Sequence, residues 1–556
     1  MDILVARQHG KLEVSTQQPG GWSPQVVEPG SPDLAALVGE LEETDPRWVW
    51  ADTSAVYPCL LSAGVRVGRC ADLRLCHAIL RMSTWTRDSE LATLPAGRWD
   101  VPVAVAAELP SLLDDLGGLD DVSRSELLAE HERQQSAIAA ASQPGRLRLL
   151  TAAESVGGLI AAEMRHVGLP WSATVHDHQL TELVGPRPLP GGRPAVVERL
   201  VGEIRTLLGA PGLNPESQPA LLRALNSAGI EVHSTRQWEL EQAQHPVIEV
   251  LLQYKKLARL VSANGWTWMD AWVTDGRFHP DYVPGGVVTG RWATRGGGAL
   301  QLPKQIRAAV VADPGWKLVV ADAAQLEPRV LAALSADTAM ARASKGADLY
   351  GALVSDGIVA TRPQAKVAML GALYGATTGE AGMLMPNLMR AYPKATGVVE
   401  RAAREGERGH QVMTWLGRTS PRPGEHWRTV QERAAQPDAT PADQRAARRQ
   451  ARDWGRFTRN FVVQGSAAEW ALCWMAAIRR ELSALCDDPA TESVGRPDLV
   501  YFLHDEIMVH TPAALADVVS QIVRAAAGEA GRLMFGDFGV EFSIELTVAD
   551  NYAQAK

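Results

Sequence analysis

The sequence predicts a multidomain protein of the α+β class, and three observations support this fold class. The chain has 556 residues, 46% of them hydrophobic, so at about 100 to 200 residues per domain it can form three or four packed units. Short strand-like and helical segments alternate in residues 1–150, which is typical of an α/β domain. Beyond them, long helical stretches alternate with shorter β-rich ones. A small peptide or a disordered tail is thereby excluded.

The N-terminal part predicts two strands, WVWAD and GRWDVPVAVA, and two helices, ADLRLCHAILRM and SRSELLAEHERQQSAIAAA. Gln143, Pro144 and Gly145 indicate a domain boundary. From about Leu150 to Ala271 the pattern is mainly helical, with apolar residues three and four apart in AAESVGGLIAAEMRHVGL and HPVIEVLLQYKKLARLVSANGW. The Pro/Gly-rich stretch GPRPLPGGRP interrupts these helices.

The second half predicts a β-rich stretch, a helical region and a strand pair. Residues 278–334 should be β-rich, with WKLVVAD as a buried strand that ends on an acid. Residues 336–460 should be helical and rich in arginine. A long apolar helix is expected from Gln464 to about Leu485, followed by the strands PDLVYFL and IMVHTP, joined across residues 504–506.

Charge is distributed unevenly along the chain. There are 55 Lys and Arg against 64 Asp and Glu, and the formal net charge of −9 argues against a uniformly basic nucleic-acid coat. Residues 1–150 carry −8, so residues 151–556 carry only −1. Residues 401–460 hold 13 basic and 7 acidic side chains, which could follow a phosphate backbone or form a solvated helix face. A partner that avoids negative charge should therefore meet the C-terminal part.

The cysteines and the apolar runs predict a cytosolic protein. The five cysteines are odd in number and show no C-x-x-C spacing, so we expect reduced core thiols rather than a zinc or redox site. The N-terminus has no apolar run long enough for a signal peptide. We also expect no membrane span, because no stretch supplies about 18 uncharged apolar residues.

Carboxylates at two strand ends predict a metal site. Asp322 follows the apolar run LVVA, and Asp505 and Glu506 lie between two apolar strands. Two carboxylates on neighbouring strands could hold two Mg²⁺ ions about 3.5 to 4 Å apart, the arrangement that serves phosphoryl transfer. Taken singly, an acid of this kind is more often a solvated turn residue.

The segment TRPQAKVAMLGALYG predicts a helix with one functional face. Arg362, Lys366, Leu370 and Tyr374 are four residues apart and therefore share a stripe. Thr361 can cap the helix, and the positive end of its dipole lies beside the two basic residues. The stripe could hold a triphosphate under an apolar and aromatic platform, or it could be the solvated face of an ordinary amphipathic helix.

Taken in order, these elements resemble the polymerase module of family A DNA polymerases, the DNA polymerase I family. Motif A of that family, D-x-S-Q-I-E-L-R, is matched by DAAQLEPR at residues 322–329. Motif B, R-x-x-x-K-x-x-x-F-G-x-x-Y-G, is matched by RPQAKVAMLGALYG at residues 362–375, and motif C, V-H-D-E, by LHDE at residues 503–506. Further matches are TGR at residues 289–291 with LQ at residues 300–301, and the R-x-x-x-N-x-x-x-Q-G series that begins at Arg456. The resemblance covers roughly residues 150–556.

The resemblance implies a right-hand polymerase fold preceded by an α/β domain similar to a 3′→5′ exonuclease. The implied domains are a degenerate exonuclease-like domain at 1–149, a thumb at 150–277, a first palm segment at 278–335, fingers at 336–459 and a second palm segment at 460–556. It also implies a DNA-templated DNA polymerase in repair or replication, whose partners are primer–template DNA and dNTPs. We expect a monomer in the bacterial cytoplasm, associated with the nucleoid.

The resemblance assigns roles residue by residue. Asp322 and Asp505, with the Ala323 carbonyl, would bind two Mg²⁺ ions, for which Mn²⁺ can substitute, and Glu506 would assist catalysis. The residues implied to bind the dNTP are Gln325, Glu327, Arg362, Lys366, Leu370 and Tyr374, with Glu327 excluding a 2′-hydroxyl. Those implied to contact DNA are Arg291, Arg329, Arg456, Asn460, Gln464 and His504.

Three positions depart from the family pattern. Leu370 replaces a ring that stacks near the sugar, Tyr350 stands where a phosphate-contacting histidine is common, and Pro328 follows Glu327 where proline is tolerated only near a helix start. We therefore expect synthesis that is retained but slow or less selective, with a catalytically weakened primer–template-binding protein as the alternative. A single-subunit RNA polymerase would lack the acidic Glu327.

The N-terminal domain lacks the exonuclease acids in their expected places. The segment from Trp50 to Leu80 resembles the middle of such a domain, but the DTS sequence at residues 52–54 has no paired carboxylate, and Tyr57 is the only tyrosine before Tyr254. Asp88 and Glu90 do spell D-x-E, in a polar loop rather than on a strand. Two metals need convergent carboxylates, so exonuclease activity is not expected.

Overall fold

The computed structural model describes residues 1–19, 21–100, 119, 121–346, 348–375, 379–488, 491 and 494–555. The chain forms two compact units. The first comprises Met1–Val167, Asp281–Gly296 and Val319–Val548, and the second comprises Gly168–Pro280, Gly297–Leu318 and Ala549–Lys556. The predicted α+β character holds for the described residues, which combine four sheets with a larger number of helices.

The first unit begins with a five-stranded sheet of order β3-β2-β1-β4-β5. Strands β1 to β3 are antiparallel, and β4 and β5 run parallel to β1. The strands are β1 (Asp2–Gln8), β2 (Lys11–Gln18), β3 (Gly21–Val27), β4 (Arg47–Trp50) and β5 (Arg69–Asp72), and the helices of this part are α1 (Pro32–Glu42), α2 (Thr53–Ser62), α3 (Leu73–Met82), α4 (Glu90–Thr93), α5 (Arg124–Ala140) and α6 (Pro144–Val167). Trp48 and Trp50 are fully buried in the core beside this sheet.

In this part the described residues of one predicted strand differ from the prediction, and the predicted boundary falls at the start of a helix. The expected strand GRWDVPVAVA starts instead with a 3₁₀ turn at Arg98–Asp100, because the Asp100 carboxylate accepts the Gly97 N–H at 2.8 Å and closes the turn. Its remainder, residues 101–106, lies outside the described residues. The predicted boundary at 143–145 coincides with the start of α6, which continues to Val167 within the first unit.

The second unit is mainly helical, as predicted. Its elements are β6 (Leu169–Pro170), α7 (Ala173–Val184), α8 (Ala195–Leu207), α9 (Gln218–Ser227), α10 (Gln237–Leu240), α11 (Val247–Asn264), α12 (Trp266–Trp272), β7 (Val273–Thr274) and β8 (Arg277–Phe278). The Pro/Gly-rich stretch forms the connection between α7 and α8. Trp171, Trp268 and Phe278 pack at centroid distances of 5.0 to 5.9 Å and anchor the three short strands, which are ordered β6-β8-β7.

A four-stranded sheet of order β12-β13-β11-β14 organises the C-terminal part. Its elements follow a short ribbon of β9 (Tyr282–Val283) and β10 (Ala293–Thr294). They are β11 (Trp316–Ala323), α13 (Leu326–Ser335), α14 (Thr338–Ala343), α15 (Leu349–Ser355), α16 (Arg362–Tyr374), α17 (Gly379–Ala391), α18 (Pro393–Glu407), α19 (Glu425–Ala434), α20 (Pro441–Cys486), β12 (Asp498–Leu503), β13 (Glu506–Pro512), α21 (Ala516–Phe535) and β14 (Ile544–Ala549).

The predicted strands β11, β12 and β13 are confirmed, whereas residues 278–334 are less β-rich than expected. Apart from β11 and helix α13, which begins at Leu326, that stretch contains only two-residue strands and the 3₁₀ turns Ala299–Gln301 and Lys304–Ala309. Helix α20 has 46 residues and starts at Pro441 rather than Gln464, because Thr440 and Asp443 form a capping box there.

Helix α20 alone among the described helices has the length and composition of a membrane span. Its apolar window has a mean hydropathy of 1.3, and 78% of that window is buried inside the protein. Burial in the core accounts for this apolar composition.

Candidate active site

The turn between β12 and β13 brings two predicted acids beside the end of β11. Leu503 pairs with Glu506 in the antiparallel register, and His504 takes a left-handed conformation (φ 59°) that lets two residues close the turn. The Ala323 N–H donates to the Asp505 carbonyl at 2.8 Å. Asp322 and Asp505 therefore occupy neighbouring strand ends, as the sequence predicted.

The donors gathered there suit a hard cation. Asp322 is half-buried at the end of β11, and the main chain of Ala323 lies against that of Asp505. Carboxylate and carbonyl oxygens are the donors that Mg²⁺ takes, and a few protein ligands suffice because the ion keeps several waters. Within the described residues no three His, Cys, Asp or Glu side chains form a group that could hold a metal ion.

A cavity of about 220 Å³ opens at these strand ends. It brings together residues from all three predicted motifs and from the TGR segment. The lining residues are Gly290, Arg291, Trp292, Gln325, Leu326, Glu327, Pro328, Tyr350, Leu370, Tyr374, Ala467, Ala468, Leu472, Phe502, His504 and Asp505. Segments separated by more than a hundred residues in the chain thus build one concave site, the usual setting for a ligand.

Glu327 is the hub of the polar contacts in this cavity. One of its carboxylate oxygens accepts a hydrogen bond from Arg291, and the other accepts the Tyr374 hydroxyl at 2.8 Å. Burial raises the pKa of Tyr374 and the Glu327 charge raises it further, so the phenol stays protonated and donates. Burial and the nearby Arg291 hold the pKa of His504 below its ordinary value, which favours the neutral imidazole.

The TGR turn places Arg291 toward Glu327. The Gly290 N–H donates to the Val287 carbonyl at 2.7 Å, and Gly290 has a φ of 85°. A Cβ there would come within 2.5 Å of Arg418 Nε, so the close approach requires glycine.

Helix α13 accommodates Pro328, and its Arg329 has a structural role rather than the predicted DNA contact. Pro328 is the third residue of the helix, where its missing N–H costs nothing. Arg329, predicted to contact DNA, is instead 1% exposed and donates to the main-chain carbonyls of Ala324, Ser344, Gly346 and Glu541. That prediction is wrong, because a buried guanidinium whose N–H groups serve the protein's own backbone cannot reach a phosphate.

Helix α16 carries the predicted basic stripe. The Thr361 side chain accepts the Gln364 N–H at 3.4 Å, and Pro363 occupies the first turn, as expected. Arg362 and Lys366 are exposed, and Leu370 and Tyr374 on the same helix line the cavity.

A second stripe runs along α20. Arg456 is exposed, Asn460 and Gln464 are half-buried, and Ala468 and Leu472, which continue the spacing of four, line the cavity. The Asn460 Oδ1 is buried, and no described residue bonds to it. This face therefore leads from an exposed arginine to the cavity.

Sequence reasoning missed a buried ionic network behind the TGR turn. Arg418 donates to Glu154 at 2.6 Å, and the Glu469 carboxylate accepts the Leu416 N–H at 3.0 Å and the Thr414 hydroxyl. Burial raises the pKa of Glu469 to about 7. The only sequence signal for this network was Glu469, an acid inside the apolar part of α20, where a charged residue is unexpected.

The acids of the N-terminal part have structural partners. Asp52 caps α2 and forms an ion pair with Arg74 at 2.7 Å, and Asp72 caps α3. The side chains of Asp88 and Glu90 are 90% and 71% exposed. The D-x-E sequence therefore lies on the surface rather than in a carboxylate cluster.

Comparison with known proteins identifies the class and then the family. Over its whole length, the chain superimposes with a TM-score of 0.69 and 17% identity on 95% of a solved structure, the POL domain of Pol1 from M. smegmatis in complex with DNA primer-template and dNTP. This likeness confirms the predicted right-hand polymerase fold. Residues 218–554 match the family model of DNA polymerase family A, and the chain belongs to that family.

Two curated relatives show the extent of the similarity. DNA polymerase I from Chloroflexus aurantiacus is 27% identical over 378 residues, which is 62% of this chain and 36% of the relative. The thermostable DNA polymerase I from Thermus filiformis is 27% identical over 408 residues, 65% of this chain and 44% of the relative. The chain thus matches less than half the length of these relatives.

Proposed function

We propose that this chain is a DNA-templated DNA polymerase that adds dNTPs to a primer 3′ end by two-metal-ion phosphoryl transfer, in DNA repair or replication. The observation that carries the proposal is the cavity in which Glu327, Tyr374 and Asp505 meet from three distant segments. Membership of the family, the names of the curated relatives, and a solved neighbour bound to primer–template and dNTP support it.

Family A DNA polymerases use divalent metal ions. We assign two Mg²⁺ ions, replaceable by Mn²⁺, to Asp322 and Asp505, with the Ala323 carbonyl as a further ligand. Ions bound there would stabilise the attacking and leaving oxygens of the transfer. Glu506 is 2% exposed and directly follows Asp505, so we assign it the supporting negative charge beside the ligands.

The incoming dNTP would lie between α13 and α16. Arg362 and Lys366 would hold the triphosphate, aided by the positive end of the α16 dipole. Leu370 and Tyr374 would form the apolar platform against the nascent base pair. Glu327 would exclude a 2′-hydroxyl, since Arg291 and Tyr374 already fix its carboxylate.

Primer–template DNA would contact Arg291, Arg456, Asn460, Gln464 and His504. The second unit offers a groove of about 1730 Å³ lined in part by Lys255, Lys256 and Arg259, which suits a phosphate backbone in the segment assigned as thumb.

The remaining assignments follow the family. We propose a degenerate exonuclease-like domain at 1–149, a thumb at 150–277, palm segments at 278–335 and 460–556, and fingers at 336–459. The relatives are bacterial, so we place the protein in the cytoplasm, with the nucleoid as its site of action and the monomer as its form.

Primer extension with Mg²⁺ tests the proposal. The wild type should extend a primed template, whereas Asp322→Ala and Asp505→Ala should lose activity by several orders of magnitude because each removes a metal ligand. Asp517→Ala, at an exposed acid in the first turn of α21, is the control and should extend normally. Absence of incorporation by the wild type would refute the proposal.

The alternative is a primer–template-binding protein that has lost catalysis, to which Leu370 and Tyr350 give support. Both the polymerase and the non-catalytic binding protein should bind DNA less tightly as salt rises, so only an assay of dNTP incorporation separates them. A preference for rNTPs over dNTPs would instead favour an RNA polymerase and contradict the role given to Glu327.

A further inference from the structure

We propose that Asp348 is a positioning residue that holds Arg362 for the triphosphate of the incoming nucleotide, with the Tyr350 ring holding the same guanidinium from another side. This inference rests on the proposed function and names one more residue of the same site. Neither Asp348 nor the contact with Tyr350 belongs to the motifs by which the site was found.

The contact with Asp348 uses only one edge of the arginine. Arg362 Nε donates to Asp348 Oδ2 at 2.9 Å, while the arginine side chain is 59% exposed at the first position of α16. A guanidinium offers five N–H donors in a planar fork. Bonding through Nε leaves both terminal nitrogens for paired phosphate oxygens, which is the geometry that anion recognition by arginine requires.

Asp348 is itself fixed by groups other than Arg362. Gln325 Nε2 donates to Asp348 Oδ1 at 3.1 Å, and Gln325 Oε1 accepts the Leu349 N–H at 2.8 Å. The hydrogen bond from Arg362 and the N–H of Gly351 hold the pKa of Asp348 below its ordinary value, so the carboxylate is ionised at neutral pH. A carboxylate that is anchored independently of its arginine can orient that arginine.

Tyr350 supplies the second support. The guanidinium carbon of Arg362 lies 5.7 Å from the centroid of the Tyr350 ring, within the range of a cation–π contact. Tyr350 belongs to α15, is 7% exposed and lies in the same core cluster as buried residues of α16. The ring therefore cannot move away from the arginine freely. Burial raises the pKa of Tyr350 to about 12, which keeps the phenol neutral. Tyrosine at this position thus removes a phosphate donor of the family but adds an aromatic face that restrains Arg362.

Steady-state kinetics on the full chain with a primed template and Mg²⁺ tests the inference. Asp348→Asn keeps the shape of the side chain and removes its charge. We expect KM for the dNTP to rise about tenfold, the loss of one charge-assisted hydrogen bond, with kcat within about twofold and KM for DNA unchanged. KM for pyrophosphate in the reverse reaction should rise in parallel, because pyrophosphate needs the same arginine. Asp348→Glu should recover part of the loss.

The matched control is Glu529→Gln. Glu529 pairs with Arg480 at a similar exposure, 37% and 59%, against 41% and 59% for Asp348 and Arg362. This variant should leave KM for the dNTP unchanged. A second test covers the case in which Asp348→Asn folds poorly. In an Arg362→Ala background, which lacks the cation that Asp348 and Tyr350 both hold, replacement of Tyr350 by Leu should add little to KM for the dNTP, whereas in the wild-type background it should raise it.

The outcomes separate the inference from the proposed function. A wild type without incorporation refutes the function and the inference with it. An active wild type in which Asp348→Asn leaves KM for the dNTP unchanged, or lowers it, overturns the inference alone, since Asp348 would then compete with phosphate rather than orient its ligand. An equal rise in KM for DNA would also overturn it, because a general structural role would move both constants.

Discussion

Replacing Arg329 by glutamine separates a structural arginine from a DNA-binding one. Arg329 is 1% exposed and donates to four main-chain carbonyls, those of Ala324, Ser344, Gly346 and Glu541. Glutamine has only two N–H donors, so two buried carbonyl oxygens lose their partner. At about 1 to 3 kcal/mol for each unsatisfied group, Arg329→Gln should lower the free energy of unfolding by about 2 to 6 kcal/mol.

Two measurements check this prediction against Arg456→Gln. Urea unfolding gives the stability, and the slope of log K for DNA binding against log salt gives the number of phosphate contacts, each worth about 0.9. Arg329→Gln should lose stability and keep the slope. Arg456 is 57% exposed, so Arg456→Gln should keep its stability and reduce the slope by about one contact. If Arg329→Gln were as stable as the wild type and lost slope, the buried assignment would be wrong.

Two further predictions concern buried charge and the N-terminal acids. Burial raises the pKa of Glu469 to about 7, above its ordinary value of 4.5. Between these two pH values the folded chain keeps a proton on Glu469 that the unfolded chain has released. The free energy of unfolding therefore falls as pH rises through this range. Glu469→Gln should therefore gain stability relative to the wild type between about pH 5 and about pH 8 in urea unfolding, and a pH-independent difference would contradict this sign. No metal-dependent release of nucleotides from a mismatched 3′ end is expected, because Asp88 and Glu90 lie exposed, and release that Asp88→Ala abolished would overturn this view.

Much of the fold could be predicted because the signals are local. Thr361 caps α16 because its hydroxyl reaches an N–H only three residues away, and the run LVVA forms a buried strand because its four residues are apolar and the two valines are β-branched. Asp505 lies in a turn because the two runs beside it pair with each other.

One local signal was present and missed. Strands β1 and β2 form a hairpin through His9 and Gly10, both with positive φ, which is the backbone of a type I′ turn. The alternation of apolar and polar residues around Leu12 and Val14 indicated a strand with one buried face.

The remaining errors depend on contacts between distant residues. Arg329 fits a motif whose arginine was expected to contact DNA, and only the return of the chain at Gly346 and Glu541 shows that its donors are already used. In the same way, the Glu469 carboxylate accepts hydrogen bonds from Thr414 and Leu416, which lie more than fifty residues away in the sequence. Pairwise contacts of this kind have no periodicity to detect.

The shared metal pair can be tested most directly by anomalous diffraction from the full chain crystallised with primer–template, an unreactive dNTP analogue and Mn²⁺. We expect two anomalous peaks about 3.5 to 4 Å apart, each bound by oxygens of Asp322 or Asp505. Peaks held by other residues, or none beside these two aspartates in a complex that contains both substrates, would contradict it.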